Sequence, residues 1–311
     1  MPPALRSGAA PNEAPRIYNL FPLLAGPLAG WKARLPRIQA MGFNWIYLNP
    51  LWLPGNSGSL YAIRDFDRLH PVVQGAGSSL AAAPLARFVE AARASGRRVM
   101  LDLVLNHAAQ DSLLAEEHAD WFVHEDDGTL RAPRAIDPVD PRKATIWRDL
   151  AEIAWEAPAA REGLLAYFNA RIKGWLEAGV GGFRCDAAYQ VPAAVWRSIM
   201  AAARTIRPDC VFAAETLGCT PQQVEALGAA GFDYLFNSSK WWDFRAPWLL
   251  EQYERYRRIA PSVSFPESHD TPRLAADAAA KGATALEAIY RLRATFAAGF
   301  SSGWMIPMGF E

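Results

Sequence analysis

Two acidic residues, Asp186 and Glu215, each close a short apolar run of the sequence, in GGFRCD and VFAAE. Such a pair suits displacement at an acetal carbon with retention, in which a carboxylate attacks while a carboxylic acid about 5 to 5.5 Å away protonates the leaving oxygen. Arg184 precedes Asp186 by two residues, on the same side of a strand, and its charge would keep Asp186 ionised. Glu215 follows Ala213 and Ala214, an apolar setting that raises a carboxyl pKa toward that of a general acid.

Each of these residues also has a purely structural interpretation. An acidic residue at a strand end is often the N-cap of the next helix, and Asp186 or Glu215 taken alone fits that role equally well. His107 and His269 also close apolar runs, where a single histidine is usually a satisfied structural group. Tyr61 is equally consistent with a core aromatic. The two carboxylates together favour catalysis, and beside them the histidines become candidate hydrogen-bond donors to sugar hydroxyls.

The elements that must position these residues follow a regular alternation. From Arg16 onward, short β-branched or aromatic runs alternate with longer Ala-, Leu- and Arg-rich stretches of helical period, which predicts βα units around a parallel sheet. In a (β/α)8 barrel the functional side chains lie at the carboxyl ends of the strands, and Asp186 and Glu215 would end neighbouring strands. The eight predicted strands are Ile17–Phe21, Trp45–Asn49, Val99–Leu105, Gly182–Asp186, Cys210–Ala214, Tyr234–Asn237, Ser262–Pro266 and Trp304–Pro307.

The remaining sequence predicts one α/β domain, a (β/α)8 TIM barrel over residues 16–311 behind a loose leader at 1–15. Residues 107–160, after the third strand, are too many for a simple loop and carry DDG, several prolines and mixed charge, which predicts a short inserted subdomain. Seven helices are predicted, without an eighth, at Trp31–Met41, Leu80–Ser95, Leu164–Ala178, Ala193–Ile206, Pro221–Ala229, Pro247–Ile259 and Thr284–Ala298.

The composition excludes several classes of function. Equal counts of 32 basic and 32 acidic residues give no field that would gather nucleic acid or anionic lipid, so neither partner is predicted. Cys185, Cys210 and Cys219 are an odd set without metal-binding spacing, so neither zinc nor a disulfide framework is expected, and a reducing cytoplasm fits best. No run of about 18 apolar residues predicts a membrane span.

The strand ends resemble the short conserved segments of the α-amylase family of glycoside hydrolases. LDLVLNH (101–107) resembles the third-strand motif that ends in N-H, and GGFRCD (181–186) resembles the fourth-strand nucleophile motif. The run ending in Glu215 resembles the fifth-strand acid motif, and SHD (268–270) resembles the seventh-strand H-D motif. Their order along the chain is the same. The second and eighth strands are similar as well, so the resemblance extends over nearly the whole chain from residue 16 to 311.

The resemblance implies a role for each matching residue. Asp186 would be the nucleophile that forms a covalent glycosyl-enzyme, Glu215 the general acid/base, and Asp270 the carboxylate that distorts and steadies the bound sugar. Tyr61 matches the aromatic residue that stacks under the reacting glucose. The implied substrate-binding positions are Tyr61, Asp102, His107, Arg184, His269 and Arg273.

The resemblance predicts retaining hydrolysis of α-linked glucose oligo- or polysaccharides, with an α-glucan or malto-oligosaccharide as substrate. The alternatives are an α-glucan transferase of the glucanotransferase or maltosyltransferase type, a non-catalytic carbohydrate-binding barrel, and a fragment of a larger enzyme. Transfer would use aromatic side chains on the acceptor side. The cluster Trp241, Trp242 and Trp248 is a candidate, although core packing is its simpler explanation.

The sequence departs from the family pattern directly after the nucleophile. Many hydrolytic members carry a Lys-His pair two residues beyond this position, whereas Ala188 is followed here by Tyr189 and Gln190. A phosphate-handling maltosyltransferase relative carries Asn immediately after the nucleophile, where this chain has Ala187. The leaving-group side of the site therefore matches neither subgroup.

No zinc or redox cofactor is predicted. Calcium, where it is bound, would be structural and held through Asn106 together with oxygen atoms of the inserted subdomain. The acidic residues of that segment are equally well explained as solvated loop charges; they are Asp126, Asp127, Asp137 and Asp140.

The chain ends before an eighth helix and before the β-sandwich that follows the barrel in this family. Without that helix, Ile17 and Met305 are expected to face water, which would cost a large part of the stability of the domain. We therefore expect the leader, an additional domain or another subunit to cover that face.

Overall fold

A closed barrel of parallel strands forms the centre of the molecule in the computed structural model, which describes residues 13–136 and 142–311. The barrel strands are β1 Arg16–Asn19, β2 Trp45–Leu48, β3 Arg98–Leu103, β4 Gly182–Cys185, β5 Val211–Glu215, β6 Tyr234–Phe236, β7 Ser262–Ser264 and β8 Gly303–Pro307. Each strand pairs with its neighbours in chain order, and β1 pairs with β8. The predicted (β/α)8 barrel is confirmed, and all eight predicted strands are present within a few residues of their predicted ends.

Alternation along the strands separates two hydrophobic cores. Residues such as Ile17, Tyr47 and Met305 form a cluster built almost entirely from strand side chains, which fills the barrel interior. Their neighbours along the strands pack against the helices in a larger outer cluster. Gly182 is required where β4 meets β5, because a Cβ atom at this position would lie 2.5 Å from the Val211 carbonyl oxygen.

Helices surround the barrel and bury one side each against the outer core. Helix α4 has the predicted bounds, whereas α3 begins earlier than predicted, at Pro158, since proline suits the first turn of a helix. None of the helices in the described part of the chain combines the length and apolar character needed to cross a membrane. The helices around the barrel are α1 Leu35–Ala40, α2 Ala82–Ala94, α3 Pro158–Glu177, α4 Ala193–Ile206, α5 Pro221–Ala226, α6 Trp248–Tyr256 and α7 Leu286–Phe300. Further short helices are Pro22–Ala25, Pro71–Gln74, Leu113–Glu117 and Leu274–Ala280, and 3-10 turns are Leu28–Arg34, Ala119–Trp121, Ala188–Gln190, Leu227–Ala229 and Ser239–Trp241.

Two connections above the strand ends are long and build small sheets. After β2, strands Trp52–Pro54 and Ile63–Leu69 form an antiparallel pair that the sequence analysis missed, because charged residues interrupt its apolar pattern. After β3, His107–Ala109 pairs with Leu150–Glu152. In the same connection Arg134–Ile136 pairs with Ala144–Ile146. These connections carry side chains over the carboxyl end of the barrel.

The seam between β1 and β8 is covered differently from the prediction. Ile17 and Met305 are buried and belong to the interior cluster, so the expectation that they face water is wrong. The reason is the twofold alternation of a strand, which turns their neighbours Tyr18 and Ile306 outward instead. Tyr18 is buried against the ring of Phe43, and its hydroxyl donates to Glu311 at 2.8 Å. Most of the predicted leader lies outside the described residues.

Candidate active site

A cavity of about 1330 Å³ opens at the carboxyl ends of the barrel strands. The structure brings seven of the predicted site residues to this cavity, including all three candidate catalytic carboxylates. Asp102 and His269 lie directly behind its wall, and Arg273 lies elsewhere. The predicted residues that line the cavity are Tyr61, Asn106, His107, Arg184, Asp186, Glu215 and Asp270.

Arg184 holds the candidate nucleophile. Its Nη1 donates to Oδ1 of Asp186 at 2.6 Å and to Oδ1 of Asp102 at 2.9 Å, and all three residues are buried. The pairing of β3 with β4 sets this contact, because Arg184 lies opposite Asp102 in the register. Burial raises the pKa of Asp186, and the guanidinium of Arg184 opposes that shift. The predicted electrostatic support of Asp186 by Arg184 is therefore present as a direct ion pair.

Two phenol groups hold Asp102 in turn. The hydroxyls of Tyr47 and Tyr61 donate to Oδ2 of Asp102 at 2.5 and 2.7 Å. Asn49 donates to both hydroxyls, at 3.2 and 3.0 Å, so each phenol is held from two sides. Burial raises the pKa of both tyrosines well above the usual value, which keeps them protonated as donors. Asp102 thus braces Arg184 from behind and does not line the cavity.

The backbone orients Glu215, the candidate acid/base. The N–H of Ala187 donates to Oε2 at 2.8 Å and the N–H of Leu217 donates to Oε1 at 2.7 Å. Burial raises the pKa of Glu215 to about 7, and this effect outweighs the opposing charge of Arg184 and the two backbone donors. The apolar run before Glu215 predicted this direction. Near neutral pH the group can therefore both give and take a proton.

Asp270, the third carboxylate, is the least constrained. Its side chain is 55% exposed, and its Oδ2 lies 3.2 Å from Nε2 of His269. Burial, with the nearby charge of Arg184, lowers the pKa of His269 to about 3, so the ring is neutral. Because the single proton of the Tyr61 hydroxyl goes to Asp102, Nε2 of His269 carries its own proton and donates to Tyr61 at 2.6 Å. His269 therefore links Asp270 to the buried network.

His107 reaches the cavity with its other ring atom than expected. Its Nε2 donates to the backbone carbonyl of Tyr61 at 3.1 Å, and burial lowers its pKa to about 4. Nδ1 of the neutral ring is then an acceptor, and it is buried without a hydrogen-bond partner within the described structure. The sequence analysis treated His107 as a donor to sugar hydroxyls, whereas this geometry leaves Nδ1 to accept one.

Arg273 is not brought to the cavity. Its Nη1 forms an ion pair of 2.6 Å with Glu267, and its Nη2 donates to the Met308 carbonyl at 2.9 Å. Glu267 is fully buried, and an unpaired buried carboxylate is costly, which explains why Arg273 turns toward it. Proximity to the S-H-D segment alone did not show this pairing.

Several residues around the cavity were not identified from the sequence. Lys240 is buried behind the wall, with its Nζ against Oγ1 of Thr271, next to Asp270. Trp147 and Trp241 line the cavity with exposed rings, as does the partly buried Trp248. Lysine and tryptophan in loops carry no local signal of this role; an aromatic residue after a strand end was the only available clue.

The candidate calcium ligand has another partner. Nδ2 of Asn106 donates to Oε1 of Gln190 at 3.1 Å, and among the described residues there is no group of three or more acidic, histidine or cysteine side chains that could hold a metal ion. Asp127 caps a turn by accepting from Thr129. Asp137 and Asp140 lie outside the described residues. The described side chains therefore do not fit a calcium site at Asn106.

Sequence comparison finds relatives along almost the whole chain. Residues 11–126 match a family model described as the glucanotransferase domain of glycogen debranching enzyme. An α-1,4-glucan:maltose-1-phosphate maltosyltransferase of Burkholderia pseudomallei is 33% identical over 302 residues, covering 97% of this chain and 26% of that protein. The protein of the same name from Myxococcus xanthus is 30% identical, covering 91% of this chain and 42% of the relative. This chain thus spans less than half the length of these relatives.

Structural comparison finds the same barrel in solved proteins. An α-amylase from Lactobacillus plantarum superposes with a TM-score of 0.73 at 24% identity, covering 96% of this chain and 71% of that one. An α-amylase from Geobacillus thermoleovorans gives a TM-score of 0.76 at 22% identity, covering 96% and 70%. The fold and the carboxylates at its open end define a (β/α)8-barrel enzyme. With the sequence relatives added, the chain belongs to the α-amylase family.

Proposed function

We propose that this chain is a retaining α-glucan transferase, which moves an α-linked glucosyl or maltosyl unit from a donor to an α-glucan acceptor. Relatives named maltosyltransferase, which match 97% and 91% of this chain, support transfer over the hydrolysis that the sequence alone favoured. The observation that carries the proposal is the single cavity in which Asp186, Glu215 and Asp270 meet beside exposed indole rings.

The first step forms a covalent glycosyl-enzyme. A carboxylate oxygen of Asp186 attacks the anomeric carbon of the donor, and the bond from this carbon to the leaving oxygen breaks. Glu215 gives its proton to that oxygen, which its pKa of about 7 permits near neutral pH. Arg184 bonds Oδ1 of Asp186, so we assign the attack to Oδ2.

The second step transfers the sugar. A hydroxyl oxygen of the acceptor attacks the anomeric carbon, the carboxylate of Glu215 takes the hydroxyl proton, and the bond from the carbon to Asp186 breaks. Two inversions give net retention, and Glu215 returns to its protonated state. Asp270, with its half-exposed carboxylate facing the cavity, binds hydroxyl groups of the sugar in both steps.

Hydrolysis is the second candidate function. The cavity of about 1330 Å³ is larger than the roughly 300 to 1,000 Å³ of a site for a small ligand, so water has access when no acceptor fills it. The two activities share the glycosyl-enzyme and differ in the nucleophile of the second step. The ratio of transfer to hydrolysis therefore depends on how well an acceptor occupies the cavity.

A product analysis separates these functions. The chain is incubated with maltoheptaose or maltose 1-phosphate as donor and with fluorescently labelled maltoheptaose as acceptor, and labelled products are resolved by chromatography. Transfer predicts labelled chains longer than the acceptor; hydrolysis predicts new reducing ends without elongation. The Asp186→Asn variant is the control and should give neither product. Absence of turnover by the unmodified chain with both donors would overturn the proposal in favour of a non-catalytic carbohydrate-binding barrel.

A further inference from the structure

Two exposed indole rings face the same cavity. Among the large apolar side chains of the described residues that are exposed, Trp147 at 37% and Trp241 at 48% are the aromatic ones. Both line the cavity that holds Asp186 and Glu215. An exposed indole leaves a large apolar face against water, and such a face is used where a flat, amphipathic ligand stacks on it. Core packing, the simpler explanation from the sequence, does not account for the exposed ring of Trp241.

The barrel topology places these rings around the reacting groups. Trp147 lies on the connection that follows β3, and Trp241 lies on the connection that follows β6. Strands β4 and β5, which lead to Asp186 and Glu215, lie between β3 and β6 in the ring. The two indoles therefore flank the pair of strands that carries the chemistry. A ligand that touches both must pass over the candidate acid/base, which is where an acceptor enters.

Trp241 is held in place before any ligand binds. Its ring contacts Phe265 edge-on, with centroids 6.0 Å apart, and Nζ of Lys240 lies 5.8 Å from its centroid. Arg293 on α7 donates to the backbone carbonyls of Lys240 and Trp242, at 3.1 and 2.7 Å, and so fixes the turn from both sides. A ring fixed in this way loses little conformational entropy on binding.

Trp147 is fixed through its backbone. Its N–H donates to the Pro133 carbonyl and its carbonyl accepts from the Leu150 N–H, both at 3.1 Å. Polar side chains also line the cavity wall, among them Thr145, Gln190 and Ser238, which suit hydroxyl groups at the edges of stacked rings. The wall thus combines flat apolar faces with hydrogen-bonding edges.

We propose that Trp147 and Trp241 form an acceptor-binding site for a linear α-1,4-linked glucan of several glucose units. The site takes a chain rather than a single sugar, because the cavity of about 1330 Å³ exceeds the size needed for a small ligand and the rings lie on connections two strands apart from each other's catalytic neighbours. This inference rests on the proposed transfer function and names its acceptor.

Binding measurements on a catalytically silent protein test the site. Maltoheptaose and maltose are titrated into the Asp186→Asn chain, alone or combined with Trp147→Ala or Trp241→Ala, with calorimetry as the readout. Each alanine variant should weaken maltoheptaose binding about five- to tenfold, and Trp241→Phe should restore most of the loss because it keeps an aromatic face. The effect should be smaller for maltose, which is too short to contact both rings. Leu250→Ala, which truncates another exposed apolar side chain that is 49% exposed, is the control and should bind as the parent does.

The outcomes separate this inference from the proposed function. If the double variant Trp147→Ala/Trp241→Ala binds maltoheptaose as tightly as the parent, or if Leu250→Ala weakens it equally, the acceptor site is wrong whatever the enzyme does. If the rings contribute to binding but the unmodified chain transfers no sugar, the binding site stands and the proposed function fails. Since both rings are exposed, the variants should keep the parent's melting temperature.

Discussion

The backbone N–H of Ala187 donates to Oε2 of Glu215 at 2.8 Å, so the residue that follows the candidate nucleophile orients the candidate acid/base. Ala187 makes this contact in the left-handed region, with φ 38° and ψ 48°. A residue with a Cβ atom pays about 1 to 2 kcal/mol for this conformation. The strain is located between the two carboxylates that the mechanism uses.

This relationship predicts opposite effects for two substitutions of Ala187. Ala187→Gly removes the steric conflict and should stabilise the chain by about 1 kcal/mol in urea unfolding, with activity retained. Ala187→Val places a β-branched side chain in the same region and should destabilise by about 2 kcal/mol. It should also raise the pKa of Glu215, since a displaced N–H no longer supports the carboxylate. Equal stabilities for the two variants would contradict the strain.

The pH profile of kcat/KM should fall on its alkaline side around pH 7. Glu215 must be protonated to assist the leaving group, and its raised pKa of about 7 means that the acid form is present below this value and lost as pH rises through it. Glu215→Gln should lower kcat/KM by about 10²- to 10⁴-fold and remove the alkaline limb. A glycosyl fluoride donor, whose leaving group needs no proton, should recover much of the rate of glycosyl-enzyme formation. An unchanged alkaline limb in Glu215→Gln would assign that limb to another group.

The sequence predicted best those features that depend on neighbours along one strand. The pKa direction of Glu215 follows from the alanines before it, and the Arg184–Asp186 pair follows from spacing two residues apart. The strands themselves were predicted because buried parallel strands form continuous apolar runs that end in polar residues.

Features that depend on the packing of distant segments were not predictable in the same way. Lys240 and Thr271 are 31 residues apart and meet only because β6 and β7 are neighbours in the barrel. Arg273 belongs to the predicted site by position, yet it turns to Glu267 because a fully buried carboxylate needs a counter-charge. Hydrophobic period and motif spacing contain no term for such compensation.

Arg184 should be needed for both stability and activity. In Arg184→Met the buried carboxylates Asp102 and Asp186 lose their shared cation, and the variant should unfold about 3 to 5 kcal/mol more easily at pH 8. The loss should be smaller at pH 4.5, because the raised pKa of each carboxyl then favours the neutral acid, which needs no cation. Arg184→Lys keeps the charge and should recover part of the stability. Urea unfolding at both pH values measures this; a loss independent of pH would point to packing instead of charge.

Tyr47 and Tyr61 should show coupled effects, because both hydroxyls donate to the same oxygen, Oδ2 of Asp102. Either Tyr→Phe substitution alone leaves one phenol to hold that oxygen and should cost about 1 to 3 kcal/mol of stability. The double variant leaves Arg184 as the remaining partner for a fully buried carboxylate, so it should lose more than the sum of the single variants, by about 0.5 kcal/mol or more. Arg184 would then be drawn from Asp186 toward Asp102, and kcat should fall further in the double variant than KM changes, because both aromatic rings remain. Urea unfolding and steady-state kinetics on the four proteins of this cycle provide the test, and strictly additive losses in both would mean that the two hydroxyls act independently of each other.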